Sequence, residues 1–449
     1  MISTPARRAT GLSLRPSDLH GLYRLGVDGT VGLTGLVEAM HHAITSRMGV
    51  HAASPTGTTS GITGAVYGAV RGGTRIVGRG VEAAFGLIKN PASNPVESPQ
   101  REAFVAVLNG VFGDHLADSH NPLAIPMAMR SAGVALELDG KPLAAQIPGP
   151  KRKLLVMLHG LCMSDRQWTR SGHDHGQVLA DEFGYTPLYL HYNSGRHVSQ
   201  NGREFAALLE RVVAQWPVPL DELVILGHSM GGLVARSACQ HAQAQGHAWI
   251  GTLKQLVFLG TPHHGAPLER GGRWVDVLLG LSPYVAPFAR LGKIRSAGIT
   301  DLRYGNLQDA DWQGRDRHAQ RHDDRQPTPL PDGVAVYLVA ATTAEHAGGL
   351  HGKLIGDGLV PVASALGEHR DPALALPVPK SHQHIVTSCG HLDLLCRDEV
   401  RVQLRRWLGT GRTRSRAKAS GQRAPDLRKA AGDRRDVDGD AELALDLRT

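Results

Sequence analysis

A serine, an aspartate and a histidine, far apart along a chain of 449 residues, have the types needed for nucleophilic acyl chemistry. Ser229 lies in Gly227-His228-Ser229-Met230-Gly231. The run Leu223-Val224-Ile225-Leu226 before it reads as a buried strand, and Val234, Ala238 and Ala242 after it share one helical face. The serine is therefore expected at a strand-to-helix corner, with glycine at 227 and 231 because side chains there would strike neighbouring backbone. In a chain this rich in glycine the bare pattern would arise by chance roughly 0.3 times, so its weight comes from the flanking elements. A serine hydroxyl is a poor nucleophile at neutral pH and needs a neutral imidazole to take its proton and a carboxylate to orient that imidazole.

Asp357, between Gly356 and Gly358 and downstream of the apolar strand 334–339, is the acid candidate. Glu345 is second, and Asp332 precedes that strand, at the wrong end of the sheet. His391, in Cys389-Gly390-His391, sits between the last strand and the closing helix and is the base candidate. His382 and His384 fall before or within that strand, where a side chain is pinned to the sheet. A developing oxyanion needs two N–H donors. Met230 N–H supplies one, and Leu161, in the turn His159-Gly160-Leu161 after Leu154–Leu158, supplies the other, with Cys162 behind it. Thr261-Pro262-His263-His264-Gly265 leaves two readings open: His263 and His264 line the substrate pocket, or the segment is a corner that roots an insertion. No metal is expected, since nothing else points to further ligands, and no cofactor is called for.

These residues need a scaffold that alternates strand and helix, and the chain supplies it. Strands are expected at 154–158, 188–190, 223–226, 256–259, 334–339 and near 384–386. A helical stripe runs from Phe205 to Trp216, and a closing one includes Val400, Leu404, Trp407 and Leu408. The 266–330 stretch carries no strand pattern and is too long for a connecting loop, so it reads as a cap or lid. Val134, Leu136 and Leu138 alternate before Asp139-Gly140, a hairpin signal. The catalytic domain is expected over 101–408, with an N-terminal helical, Gly/Ala-rich extension over 1–100 and a disordered charged tail over 409–449.

Within the extension, residues 1–30 read as polar and poorly ordered, and 33–47 as an amphipathic helix. In 61–88, Gly64, Gly68 and Gly72 recur four apart, as do Arg71, Arg75 and Arg79. That pattern suits a helix packed closely on its own protein, with peripheral membrane contact as the second reading. Net charge is +8, much of it in the tail; this reads as a solvated tail rather than a specific nucleic-acid site. The four cysteines lack disulfide or zinc spacing and read as buried free thiols, which favours a reducing, cytoplasmic location. There is no Sec-type apolar run at the N-terminus and no apolar stretch of membrane-spanning length.

His159-Gly160-Leu161, Gly227-His228-Ser229-Met230-Gly231-Gly232, Gly260-Thr261-Pro262-His263, Gly356-Asp357-Gly358-Leu359-Val360-Pro361 and Gly390-His391 together resemble the α/β-hydrolase superfamily. The resemblance is to its lipase-like branch, which includes PGAP1-like GPI inositol-deacylases and bacterial triacylglycerol lipases, and it spans about 150–408. It implies an α/β-hydrolase fold: a mostly parallel central sheet flanked by helices, with a cap or lid insertion. It also implies a carboxylic-ester hydrolase with Ser229, Asp357 and His391 as triad, in that chain order, acting on a small-molecule ester or lipid. Two alternatives stay open at this point. The same acyl-enzyme could pass its acyl group to another alcohol, or the chain could be an interaction protein on a hydrolase scaffold.

Overall fold

A continuous apolar run can be a strand only where both sheet faces are covered, and the segment at 153–158 satisfies that condition. In the computed structural model, Leu154 to Leu158 are wholly buried. Leu154, Val156 and Leu158 join one apolar core, whereas Leu155 and Met157 join the other. The residues described are 14–47 (side chains to 31), 65–74, 98–266, 296–316, 323–346 and 356–409.

Among them the helices up to residue 252 are α1 (Pro16–Arg47), α2 (65–74), α3 (Pro99–Asp118), α4 (Leu143–Gln146), α5 (His175–Phe183), α6 (Val198–Ala214), α7 (Met230–Gln245) and α8 (Trp249–Thr252). The strands are β1 (Ala128–Ser131), β2 (Val134–Ala135), β3 (Lys153–Leu158), β4 (Tyr185–His191), β5 (Glu222–His228), β6 (Leu253–Leu259), β7 (Ala335–Ala341) and β8 (Gln383–Val386). They form one sheet in the order β2-β1-β4-β3-β5-β6-β7-β8. Pairing is parallel from β4 through β8, and β1 and β2 add an antiparallel edge. Helices α3, α6 and α7 contribute to the core on one face, and α5 with the C-terminal helix Asp398–Gly409 to the core on the other. Strand order reverses at β3, so the C-terminal ends of β3 and β5 lie side by side at a switch point, where such sheets place their ligands.

Local chemistry sets the element ends. Asp174 caps α5 by accepting Gly176 N–H at 2.8 Å, and Gly184 ends it at φ 72°. Ser98 caps α3, accepting Arg101 N–H at 3.2 Å, with Pro99 in its first turn. Beyond that cap, every residue from Phe104 to Gly113 is buried, which marks a helix enclosed on all sides rather than lying on a surface.

Four expectations change. Residues 16–30 are helical, because Asp18, only 1% exposed, pairs with Arg101 at 2.6 Å and thereby docks α1 on α3. The hairpin turns at Ala132-Gly133, both left-handed at φ 50° and 78°, and not at Asp139-Gly140. Strand β4 begins at Tyr185, running through Pro187; β1 covers only 189–191, so the missing N–H costs no ladder bond on that side. In α2, a Cβ added at Gly68 or Gly72 would meet nothing within 4 Å, and Val66 is 55% exposed, so these three positions are not packed against the described residues. The rest of 61–88, the segment 267–295 of the expected lid and the tail beyond 409 lie outside the described residues. No helix among the described residues is long and apolar enough to cross a membrane.

Candidate active site

The corner after β5 is as tight as its glycines imply. Ser229 adopts φ 54° and ψ −124°, outside the ordinary regions for a residue with a side chain, and its N–H donates to Leu259 O on β6 at 2.9 Å. A Cβ at Gly231 would lie 2.4 Å from Leu158 O and 2.6 Å from His159 O, and one at Gly227 would lie 2.6 Å from Gly232 N. Backbone stands on both sides of these contacts, so neither side can yield by a rotamer change. Gly231→Ala should therefore lower the melting midpoint, by about 1–3 kcal/mol of stability for the forced separation of α7 from β3. A thermal melt at wild-type level would show that the corner has slack.

Asp357 and His391 are brought together behind this corner. Asp357 follows β7 in chain order and His391 follows β8. His391 Nδ1 donates to Asp357 Oδ2 at 2.6 Å, with both side chains almost wholly buried. Asp357 Oδ1 accepts Leu359 N–H at 2.9 Å and Val360 N–H at 2.8 Å, and His391 N–H donates to Asp357 O at 3.1 Å. Backbone of the aspartate loop thus fixes the carboxylate, which in turn fixes the imidazole. With Nδ1 turned to Asp357, Nε2 is the ring's free edge; it is buried and makes no hydrogen bond among the described residues. Among the described residues no hydrogen bond joins Ser229 Oγ to it. Two contacts tie the histidine to the corner. His228 Nε2 donates to His391 O at 3.1 Å, with ring centroids 4.7 Å apart. A Cβ at Gly260, next to the acceptor of Ser229 N–H, would lie 3.2 Å from both His391 Cε1 and Asp357 Oδ2. Burial, then the neighbouring His391, holds His228 neutral, well below the usual histidine pKa.

The competitors are elsewhere. Glu345 and Asp332 are exposed. His382 Nδ1 donates to Val336 O at 3.1 Å, and His384 lies 3.0 Å from Glu399.

The loop after β3 folds over the corner, so that a Cβ at Gly160 would lie 3.1 Å from Ser229 Cβ. His159 stacks on Tyr192 at 4.3 Å, and Tyr192 Oη donates to His159 O at 2.8 Å. Burial lowers the His159 pKa to about 3, so it braces the loop as a neutral ring. Cys162 N–H is already committed to Ser194 Oγ at 3.0 Å. Leu161 N–H donates to no backbone carbonyl among the described residues outside helices and strands. Met230 opens α7, where an N–H has no carbonyl of its own helix to meet. Neither of the two N–H groups expected to face an oxyanion donates to a turn or loop carbonyl among the described residues.

His263 and His264 go to a different cluster. His263 is wholly buried, its ring edge-on to Phe258 at 4.9 Å and Nδ1 3.4 Å from Arg236 Nη1. His264 N–H donates to Ser364 Oγ at 3.1 Å, and Arg325 Nη1 donates to His263 O at 3.1 Å. Burial takes His263 well below the usual range and His264 to about 4. None of their hydrogen bonds or ring contacts among the described residues reaches Ser229, Asp357 or His391, and no metal-holding group of three or more ligands occurs there. Sequence reasoning passed over Ser194. Its only signal is position, just past the C-terminal end of β4 in Tyr192-Asn193-Ser194-Gly195.

The cysteines Cys162, Cys239 and Cys389 are buried free thiols, whereas Cys396 is free but only partly buried, contrary to expectation. Burial pushes Cys239 and Cys389 up to about 12, leaving them unreactive.

Comparison with known proteins finds a family model that matches part of the chain. The model of the PGAP1-like alpha/beta domain matches residues 152–324, which include Leu161, Ser229 and Met230 but stop before Asp357 and His391. No curated protein matches the chain. Among solved structures, it is similar to the Bacillus licheniformis lipase BlEst2 in mature form at 18% identity, covering 58% of this chain and 94% of that one, with a TM-score of 0.39. It is similar to the Pyrococcus furiosus esterase Pf2001 at 15% identity, covering 58% and 82%, with a TM-score of 0.34. Similarity to Aspergillus fumigatus lipase B is 10% in identity, over 61% and 54%, with a TM-score of 0.35. By its sheet order and strand-to-helix corner the chain has the α/β-hydrolase fold, and its residues 152–324 match the PGAP1-like alpha/beta domain.

Proposed function

We propose that this protein is a serine hydrolase of carboxylic esters, acting on acyl or lipid-like substrates through an acyl-enzyme. The observation that carries the reading is the buried 2.6 Å pair of His391 and Asp357, set beside a serine held at φ 54°. Lipase and esterase are also the words attached to the solved structures it is similar to.

Ser229 Oγ attacks the ester carbonyl carbon while its proton passes to His391 Nε2. Asp357 keeps Nδ1 protonated and stabilises the imidazolium that forms. The carbonyl oxygen, now an anion, receives N–H bonds from Met230 and Leu161. Collapse of the tetrahedral intermediate breaks the ester C–O bond, and His391 returns its proton to the leaving alcohol. Water then attacks the acyl-enzyme by the same route, releasing the acid and restoring the Ser229 hydroxyl.

The test is chemical. A fluorophosphonate should label the folded protein once, with the adduct mass on the peptide that contains Ser229. The labelled protein should no longer cleave p-nitrophenyl esters from acetate to palmitate. Failure of the folded protein either to take the label or to cleave any ester of that series would overturn the reading.

A further inference from the structure

The loop carrying Leu161 is strained and so must be held. Cys162, directly after Leu161, adopts φ 60°, a left-handed conformation that a residue with a side chain keeps only when its surroundings over-determine it. Two groups do so. Ser194 Oγ, in a residue 1% exposed, accepts Cys162 N–H at 3.0 Å. From the other side Gly110 of α3 presses on the same residue: a Cβ there would lie 2.1 Å from Cys162 Sγ and 2.9 Å from its Cα.

These holders are themselves fastened together. Asn193 Nδ2 donates to Gly113 O of α3 at 2.8 Å, and Asn193 Oδ1 accepts Gly195 N–H at 3.0 Å. A Cβ at Gly195 would stand 2.0 Å from Asn109 O. Ser296, at the start of the helix Ala297–Tyr304, donates its hydroxyl to Gly110 O at 2.7 Å. Helix α3 lies wholly before the 152–324 match.

We infer that Ser194, backed by Gly110 on helix α3, is a positioning residue for the oxyanion loop: by taking Cys162 N–H and locking Cys162 left-handed, it aims the adjacent Leu161 N–H at the developing anion. The inference rests on the ester-hydrolase reading and deepens it. It gives α3 a part in holding the oxyanion loop, and it gives the loop one donor to offer because the next is taken.

A holder of this kind acts on the transition state and hardly on ground-state binding. Ser194→Ala should therefore lower kcat per titrated active site about 10- to 100-fold, the scale of an ångström-level misplacement, with KM within about twofold of wild type. The discriminating probe is a trifluoromethyl ketone. Its adduct forms when Ser229 Oγ bonds to the ketone carbon, the serine proton goes to His391, and the carbonyl oxygen becomes an oxyanion. Its Ki should rise in parallel with the fall in kcat, whereas a variant merely less folded would lose titratable sites and keep Ki. Ser194→Thr, which retains the hydroxyl, should hold kcat within about threefold of wild type, since the acceptor for Cys162 N–H remains. Wild-type kcat and Ki in Ser194→Ala, in a protein that labels normally with fluorophosphonate, would overturn the inference and leave the hydrolase reading intact. A wild-type protein that neither labels nor cleaves esters would bring down both.

Discussion

Asp357→Asn should retain the fold and substrate affinity yet lose about four orders of magnitude in kcat, the scale of a triad locked in the wrong tautomer. The reason lies in the two backbone donors on the carboxylate. Leu359 and Val360 N–H both point at Oδ1, at 2.9 and 2.8 Å. In the amide, oxygen must keep that place, because reversal would set an NH2 group against two N–H donors. The amide nitrogen then faces His391 Nδ1, where Asp357 Oδ2 accepted at 2.6 Å. A donor there compels Nδ1 to accept, so the ring proton moves to Nε2. A protonated Nε2 cannot take the proton of Ser229. Asp357→Ala imposes no tautomer, and its comparison with Asn separates loss of charge from tautomer locking. Both are read as kcat per titrated site, with KM and the melting midpoint as controls. An Asn variant retaining more than about a tenth of wild-type kcat would contradict a role for Asp357 in orienting the base.

The corner, the Asp357 turn and the His391 loop were legible because each is a short glycine-bearing segment at the end of a strand, and local patterning gives strand ends. Glycine at 227 and 231 follows from sterics that act within one turn, and the structure places backbone 2.4–2.8 Å from where side chains would start. What stayed hidden depends on contacts between distant segments. The helix over 16–30 has no strong periodicity of its own and is fixed by Asp18 on Arg101, 83 residues away. Ala132 gives no turn signal, yet it takes φ 50° because the β1–β2 pairing requires it. Pro187 looks like a strand breaker until the short reach of β1 leaves its side of β4 unpaired. Ser194 is one serine among many by composition. It becomes informative only when the ends of β3 and β4 are adjacent and the loop over Ser229 needs an acceptor. His263 and His264 show the converse: a conspicuous pair at a strand end, drawn by Arg236 and Arg325 into a buried cluster.

Acid should unfold this protein steeply. Among the described residues four wholly buried histidines carry most of the slope, with partly buried His264 adding to it: His159, His175, His228 and His263 are each at most 1% exposed. Burial is the largest cause of depression in every case, taking His159 to about 3 and His175 to about 4, with His228 and His263 also well below 6.5. Neighbours reinforce it in each: His191 acts on His159, His173 on His175, His391 on His228, and Arg236 on His263. In the unfolded chain all four titrate near the ordinary value of about 6.5. Between that value and the depressed ones the unfolded state holds more protons, so stability rises with pH. It is complete above about pH 6.5 and is lost as pH falls toward 4. Each histidine contributes up to about 1.4 kcal/mol per pH unit, so four together approach about 5 kcal/mol per unit near pH 5. That is a large share of the 5–15 kcal/mol typical of a folded domain. Urea unfolding at pH 7.5, 6.5, 5.5 and 5.0 should show the free energy falling along this curve, with roughly three to four protons taken up on unfolding near pH 5. Added salt should change the slope little, since desolvation and not long-range charge repulsion is its origin. His175→Gln, which removes a ring that bonds Leu394 O through Nε2 at 3.0 Å and His173 through Nδ1 at 2.8 Å, should lower the uptake by about one proton. Uptake near zero at pH 5 would mean that these rings are charged in the folded state.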